Sequence, residues 1–97
     1  MQDEPARQTS RLHLIVCGRV QGVGFRAFVM EQFHAHRLHG WVRNVGYDQV
    51  EVVAEGPRTA LELFSTAVIQ GPRAARVESS TVEWERASGE FTRAEVR

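Results

Sequence analysis

Gly18-Arg19-Val20-Gln21-Gly22-Val23-Gly24-Phe25-Arg26 decides how the rest of this chain is read. Before it runs Leu12-His13-Leu14-Ile15-Val16-Cys17, and after it an amphipathic segment from Phe25 to His36. The apolar run predicts a central strand over 11–17, buried largely on both sides, with Leu12, Leu14 and Val16 on one face and His13, Ile15 and Cys17 on the other. Phe25, Phe28, Val29 and Phe33 recur at helical spacing and predict a helix with an apolar stripe. Three glycines between a strand and a helix let the backbone curl where a Cβ would clash. Such a loop can turn successive N–H groups into one concavity, and the free N–H groups at the helix start point the same way. That arrangement suits an anion, phosphate above all. Arg26 in the first helical turn opposes the macrodipole, a local cost of up to ~1 kcal/mol that an anion between guanidinium and amides would offset.

A plainer reading treats the loop as a packing turn that only makes room between strand and helix. Gly22-Val23-Gly24-Phe25-Arg26-Ala27 also fits a loose dinucleotide-binding pattern. That match fails on context. Asn44, not an acidic residue, ends the next strand, and 97 residues are too few for a six-stranded doubly wound sheet.

Composition bounds the possibilities. The length fits one domain with one modest core. Lys+Arg and Asp+Glu both number 12, so the formal charge is zero and no electrostatic footprint for nucleic acid or an anionic membrane is present. Every one of those basic residues is Arg, whose planar fork suits carboxylate or phosphate. The single cysteine, Cys17, allows no internal disulfide and fits a reducing, cytoplasmic setting. It is expected to be an inert core thiol rather than a nucleophile. Residues 1–10 are polar without an apolar core, so a disordered tail is expected there, not a signal peptide or anchor, and 11–97 form the domain. His34, His36 and His39 bunch where the first helix ends. They lack convergent partner ligands, so no metal site is expected.

The remaining chain supplies the other elements. Residues 40–44 and 50–55 read as two strands of a hairpin around 45–49. Gly40, Val42 and Asn44 share one face and Trp41 and Arg43 the other; Val50, Val52 and Ala54 oppose Glu51 and Glu55. Asn44 stands just before the turn, where it can serve simply as a turn former. Gly56-Pro57 opens a second helix with the proline in its first turn, Leu61, Phe64, Ala67 and Val68 form its buried stripe, and Gly71-Pro72 stops it. Residues 77–84 form a strand whose apolar parity changes between Val77 and Val82, which predicts a bulge. Residues 91–96 make a last short strand. The order β-α-β-β-α-β with a terminal extra strand predicts an α+β, ferredoxin-like split βαβ sandwich: a four- to five-stranded, mostly antiparallel sheet with two helices on one face. That fold alone settles no function.

The Gly18–Arg26 stretch, together with Gly40-Trp41-Val42-Arg43-Asn44 and with Val50 and Gly56 at the expected distance, closely resembles the acylphosphatases. The resemblance runs from Leu12 to the C-terminus. It implies an enzyme that hydrolyses an acyl phosphate to a carboxylate and inorganic phosphate, with no metal, no cofactor and no covalent intermediate. Carried over position by position, it implies that Gly18, Arg19, Val20, Gln21, Gly22, Val23 and Gly24 cradle the phosphoryl group with backbone amides. Arg26 binds its oxygens and Asn44 holds the attacking water. The implied partners are a small-molecule acyl phosphate and, as product or competitive inhibitor, phosphate or sulfate. A cytoplasmic monomer without nucleic-acid or membrane partners is expected. The family usually has Gly in the hairpin turn where this chain has Asp48, so strain is expected at Asp48, shared with Gly46.

The chemistry of the residues agrees. Carboxylate leaves readily, so positioning and charge stabilisation can carry the reaction without a strong general acid. Two other classes share some of these features. An anion-binding module would have the loop and Arg26 without turnover. A nucleic-acid module of this fold would need exposed sheet aromatics, for which Trp41 is a candidate, and a positive charge the chain lacks.

Overall fold

The computed structural model describes residues 8–97. Seven elements follow in the order β1 (Thr9–Arg19), α1 (Phe25–Ala35), β2 (His39–Val45), β3 (Gln49–Pro57), α2 (Arg58–Gln70), β4 (Arg76–Arg86) and β5 (Ala94–Val96). The strands form one sheet in the order β4-β1-β3-β2-β5. All pairings are antiparallel except β2 with β5, which is parallel. The architecture is the ferredoxin-like α+β sandwich that the order of elements predicts.

Register decides which side chains meet the helices. Leu12 pairs with Ala54, Leu14 with Val52 and Val16 with Val50, while Val42 pairs with Val52 from the other side. Paired residues share a face, so these positions make one apolar floor, and all are fully buried. Phe25, Val29 and Phe33 of α1 and Leu61, Phe64 and Val68 of α2 complete the core above it. The Phe33 and Phe64 rings meet with centroids 4.9 Å apart. Truncating either to Ala would cost about 3–5 kcal/mol in lost transfer and cavity energy.

Several expectations need correction. The tail expected over 1–10 is cut short, because β1 begins at Thr9; residues 1–7 lie outside the described residues. The central strand is not buried on both sides. His13, Ile15 and Cys17 are only half-buried, since both described helices pack on the other face of the sheet and the local alternation cannot reveal which face receives a layer. Cys17 is therefore a half-exposed free thiol, not a core one. Phe28 is half-buried, its ring edge-on to Phe25 at 6.2 Å. In α2, Ser65 is buried and Ala67 only half-buried. Pro57 stands one position before the first helical turn, as the N-cap and last residue of β3. Residues 91–93 are not strand. The expected irregularity of β4 is present: Cys17 pairs with Ser79 but Gly18 with Val77, leaving Glu78 as the extra residue. In the hairpin turn, Gly46 has φ 61° while Asp48 has no positive φ. The glycine has moved to where the strain is, and Asp48 bears none of it.

Candidate active site

The loop after β1 and the end of β2 meet at the N-terminus of α1. Gly22 (φ 74°) and Gly24 (φ 75°) adopt the left-handed backbone that reverses the chain between strand and helix. A Cβ at either would meet nothing within 4 Å, so glycine is required there for conformation and not for room. Gly24 is the N-cap of α1 and offers no side chain to the first-turn amides, and no acidic residue stands in that turn. The first four N–H groups of a helix have no intrahelical acceptor. Here they begin a helix whose first-turn side chain is a cation.

A cavity of about 370 Å³ opens at this end, lined by Val20, Gln21, Gly22, Gly24, Phe25, Arg26, Ala27, Asn44 and Val96. Among the described residues, Arg26 is its only charged lining residue. The side chain is exposed and makes no ion pair or hydrogen bond among the described residues. Asn44 of β2 pairs with Val50 of β3 and faces the helix side of the sheet, as alternation with Trp41 and Arg43 predicts. Two buried side-chain polar atoms among the described residues lack a hydrogen-bond partner. One is Arg58 Nε, which still has Glu62 at 3.6 Å and lies in a guanidinium stacked 3.6 Å over Trp84. The other is Asn44 Oδ1. A buried acceptor without a donor costs about 1–3 kcal/mol, and this one belongs to a side chain that lines the cavity.

Not every residue expected at the site reaches it. Gly18, Arg19 and Val23 do not line the cavity. Gly18 and Arg19 are the last residues of β1, paired with Val77 and Arg76, and the Gly18 amide donates to the Asp48 carbonyl at 2.9 Å. That amide is therefore spent on the hairpin turn and is not offered to an anion. Val23 packs against the core instead. The Gln21 side chain also turns to the hairpin, its Nε2 lying 2.9 Å from the Gln49 carbonyl and 3.1 Å from that of Gly46. Phe25, Ala27 and Val96 line the cavity without having been singled out. Ala27 follows Arg26 in the first turn and could have been inferred. Val96 could not, because its place depends on β5 lying parallel to β2.

The histidines stand elsewhere. His34 is in the last turn of α1, His36 is its C-cap, and His39 is exposed in β2. Among the described residues, the one group with metal-ligand character is His13, Glu83 and Glu85, whose ligand atoms lie within 4.8 Å of one another. It sits on the outer sheet face, away from the cavity. His13 there is already engaged: Nε2 lies 2.6 Å from Glu51 and Nδ1 3.3 Å from Glu83.

Comparison with known proteins assigns the arrangement to a family. A family model for acylphosphatase matches residues 12–96. An acylphosphatase of Thermus thermophilus is 51% identical over 79 residues, covering 81% of this chain and 90% of that protein. One from Salinibacter ruber is 45% identical over 87 residues, covering 90% of this chain and 92% of its own length. The crystal structure of acylphosphatase from Bacillus subtilis superposes with a TM-score of 0.86 at 39% identity, covering 91% of this chain and 98% of that one. Identity of this order, over nearly the full length of both partners, goes beyond a shared fold: the chain belongs to the acylphosphatase family and is an enzyme that hydrolyses acyl phosphates.

Proposed function

We propose that the cavity at the start of α1 performs this hydrolysis by direct in-line attack of water on phosphorus. The amides of the loop from Val20 to Gly24 and of the first helical turn hold the phosphoryl oxygens, with Arg26 bridging two of them. Asn44 Oδ1 accepts a hydrogen bond from the water and aims its lone pair at phosphorus. The new P–O bond forms as the bond to the acyl oxygen breaks. Carboxylate leaves with the electron pair, and the water's proton passes to a phosphoryl oxygen. Charge spreads over the oxygens that the amides and Arg26 already face, so little reorganisation is needed in the transition state. The leaving group is a weak base, so the chemistry requires no metal and no strong general acid.

One observation carries this reading: Asn44, whose Oδ1 is buried without a partner, lines the same cavity as Arg26, which is unpaired among the described residues. The two lie eighteen positions apart in the sequence, on different elements. A neutral amide can orient water without titrating, which explains a site with no histidine or cysteine in its lining. The enzyme works on this reading as a cytoplasmic monomer, a setting that suits the free thiol of Cys17. Its partners are small acyl phosphates, with no nucleic acid or membrane.

The test is phosphate release from benzoyl phosphate in heavy-oxygen water with chelator present. Turnover should persist and the label should appear in phosphate. Label in benzoate would mean attack at the carbonyl carbon, and loss of turnover with chelator would mean a metal is required.

A further inference from the structure

The Gln21 side chain stands at the edge of the cavity but spends its donors away from it. Nε2 lies 2.9 Å from the carbonyl oxygen of Gln49, 3.1 Å from that of Gly46 and 3.4 Å from that of Val45. Val45 and Gln49 are the closing pair of the β2–β3 hairpin, and Gly46 is the first residue of its turn. An amide nitrogen carries two protons, so the two shorter contacts are its bonds and the third is a long contact at the same oxygen cluster. A few residues away, the Gly18 amide donates to the Asp48 carbonyl at 2.9 Å. The N-terminal half of the loop that carries the anion site is thus fastened to the hairpin turn at two points, Gly18 and Gln21. Asn44 precedes Val45 directly, so whatever fixes the turn fixes Asn44 against the loop.

We propose that Gln21 is a positioning residue that sets the distance between bound phosphate and the Asn44-held water. This rests on the reading of Asn44 as the water-orienting group. The physical need is plain. Arg26 and the first-turn amides ride on α1, whereas Asn44 rides on β2, and among the described residues no side-chain hydrogen bond joins Asn44 to the loop. Reaction geometry is sensitive to displacements of about 1 Å, which can cost ~100-fold in rate. The Gln21 carboxamide bridges the two bodies with directional bonds. A backbone bond at Gly18 alone would leave a hinge along the loop.

The proposal makes Gln21 act through Asn44 and not through phosphate affinity. Gln21→Met keeps the length and removes the donors. It should lower kcat by roughly 10- to 100-fold while the inorganic phosphate inhibition constant and thermal midpoint stay close to those of the parent. The deciding measurement is the double-mutant cycle with Asn44→Ala. If Gln21 works by placing Asn44, the double variant is no slower than Asn44→Ala alone; a product of the two losses overturns the proposal. A Gln21→Met enzyme at the parental rate, beside a slow Asn44→Ala, also overturns it and leaves the role of Asn44 standing. Asn44→Ala at the parental rate defeats the reading of Asn44, and this proposal with it. Gln21→Glu gives an independent check should the Met variant not fold. As carboxylate it faces carbonyl oxygens with no donor, and once protonated it regains one. Its kcat relative to the parent should therefore rise as pH falls through the carboxyl range, and a flat ratio overturns the proposal.

Discussion

The two faces of the sheet treat their polar groups in opposite ways. On the outer face, charge is matched to charge. Arg43 donates to Glu51 at 2.7 Å, His13 lies between Glu51 and Glu83, and Arg11 Nε donates to Glu55 at 2.7 Å. Glu55, nearly buried, also accepts from the amides of Ser88 and Gly89 at 2.8 and 3.0 Å, and so clasps the β4–β5 connection to the sheet. At the cavity on the helix side, among the described residues, Arg26 has no carboxylate, the first-turn amides have no capping side chain, and Asn44 Oδ1 has no donor. The outer face uses its polar groups to hold the fold together. The cavity leaves its own without protein partners among the described residues, and these are the groups proposed above to hold an anion and a water.

The largest effect should come from removing the unpartnered group at Asn44. Asn44→Ala should lower kcat by at least ~100-fold with the phosphate inhibition constant nearly unchanged, because water orientation matters only to the reaction. Steady-state kinetics beside a melting curve checks it, and the midpoint must stay within a few degrees for the reading to count. Arg26 should fail differently, since phosphoryl charge is present before and during the reaction. Arg26→Ala should weaken both phosphate inhibition and turnover, by about 1.5–3 kcal/mol or roughly 10- to 150-fold. Arg26→Lys should recover only part, because it keeps the charge and loses the fork.

The same kind of change on the outer face should move stability and leave chemistry alone. Glu55→Gln removes the charge that Arg11 and two backbone amides share, and turns one acceptor into a donor facing donors. About 1.5–3 kcal/mol of stability should go, seen as a lower urea midpoint, with kcat near the parental value under conditions where the variant is folded. A large fall in kcat there would blur the division between the faces.

How much of this was legible depends on how local the cause is. The strand-loop-helix unit and the hairpin follow from periodicity and from glycine placement, which are encoded within a few residues. Arg26 and Asn44 could be named because both lie in stretches whose residues carry the family resemblance. The uncovered outer face of β1, the use of the Gly18 amide and the place of Val96 in the cavity all depend on which elements become neighbours, and no short stretch encodes that. Asp48 shows the limit most clearly. A family-based reading puts the turn strain there, and substitution by glycine should then be neutral or favourable. With the positive φ at Gly46 instead, Asp48→Gly only adds freedom to the unfolded chain. It should destabilise by about 0.4–1 kcal/mol in denaturant unfolding.

The smallest expected effect is a pH slope on the outer face, and its sign follows from geometry. Both ring nitrogens of His13 face carboxylates, Glu51 and Glu83, with Glu85 adding to the field. Only the imidazolium can donate to both at once. The hydrogen bond to Glu51 above all, partly opposed by burial, therefore raises the His13 pKa above its ordinary 6.5. Burial pulls Glu51 upward, but hydrogen bonds from His13 and Arg43 and their charges outweigh it and hold the carboxyl below its ordinary 4.5. A raised folded-state value for His13 means that its contribution is complete below 6.5 and is lost as pH rises through the folded value. A lowered one for Glu51 means that its contribution is complete above 4.5 and is lost as pH falls through the folded value. The pair therefore stabilises most between those two ordinary values, and the melting temperature should decline gently on the alkaline side. Solvent reaches both residues, so the decline should amount to a few degrees at most. His13→Gln should flatten that alkaline limb while leaving kcat unchanged, because His13 lies on the outer sheet face, opposite the cavity proposed as the active site. A limb that keeps its slope in His13→Gln would assign the titration to another group.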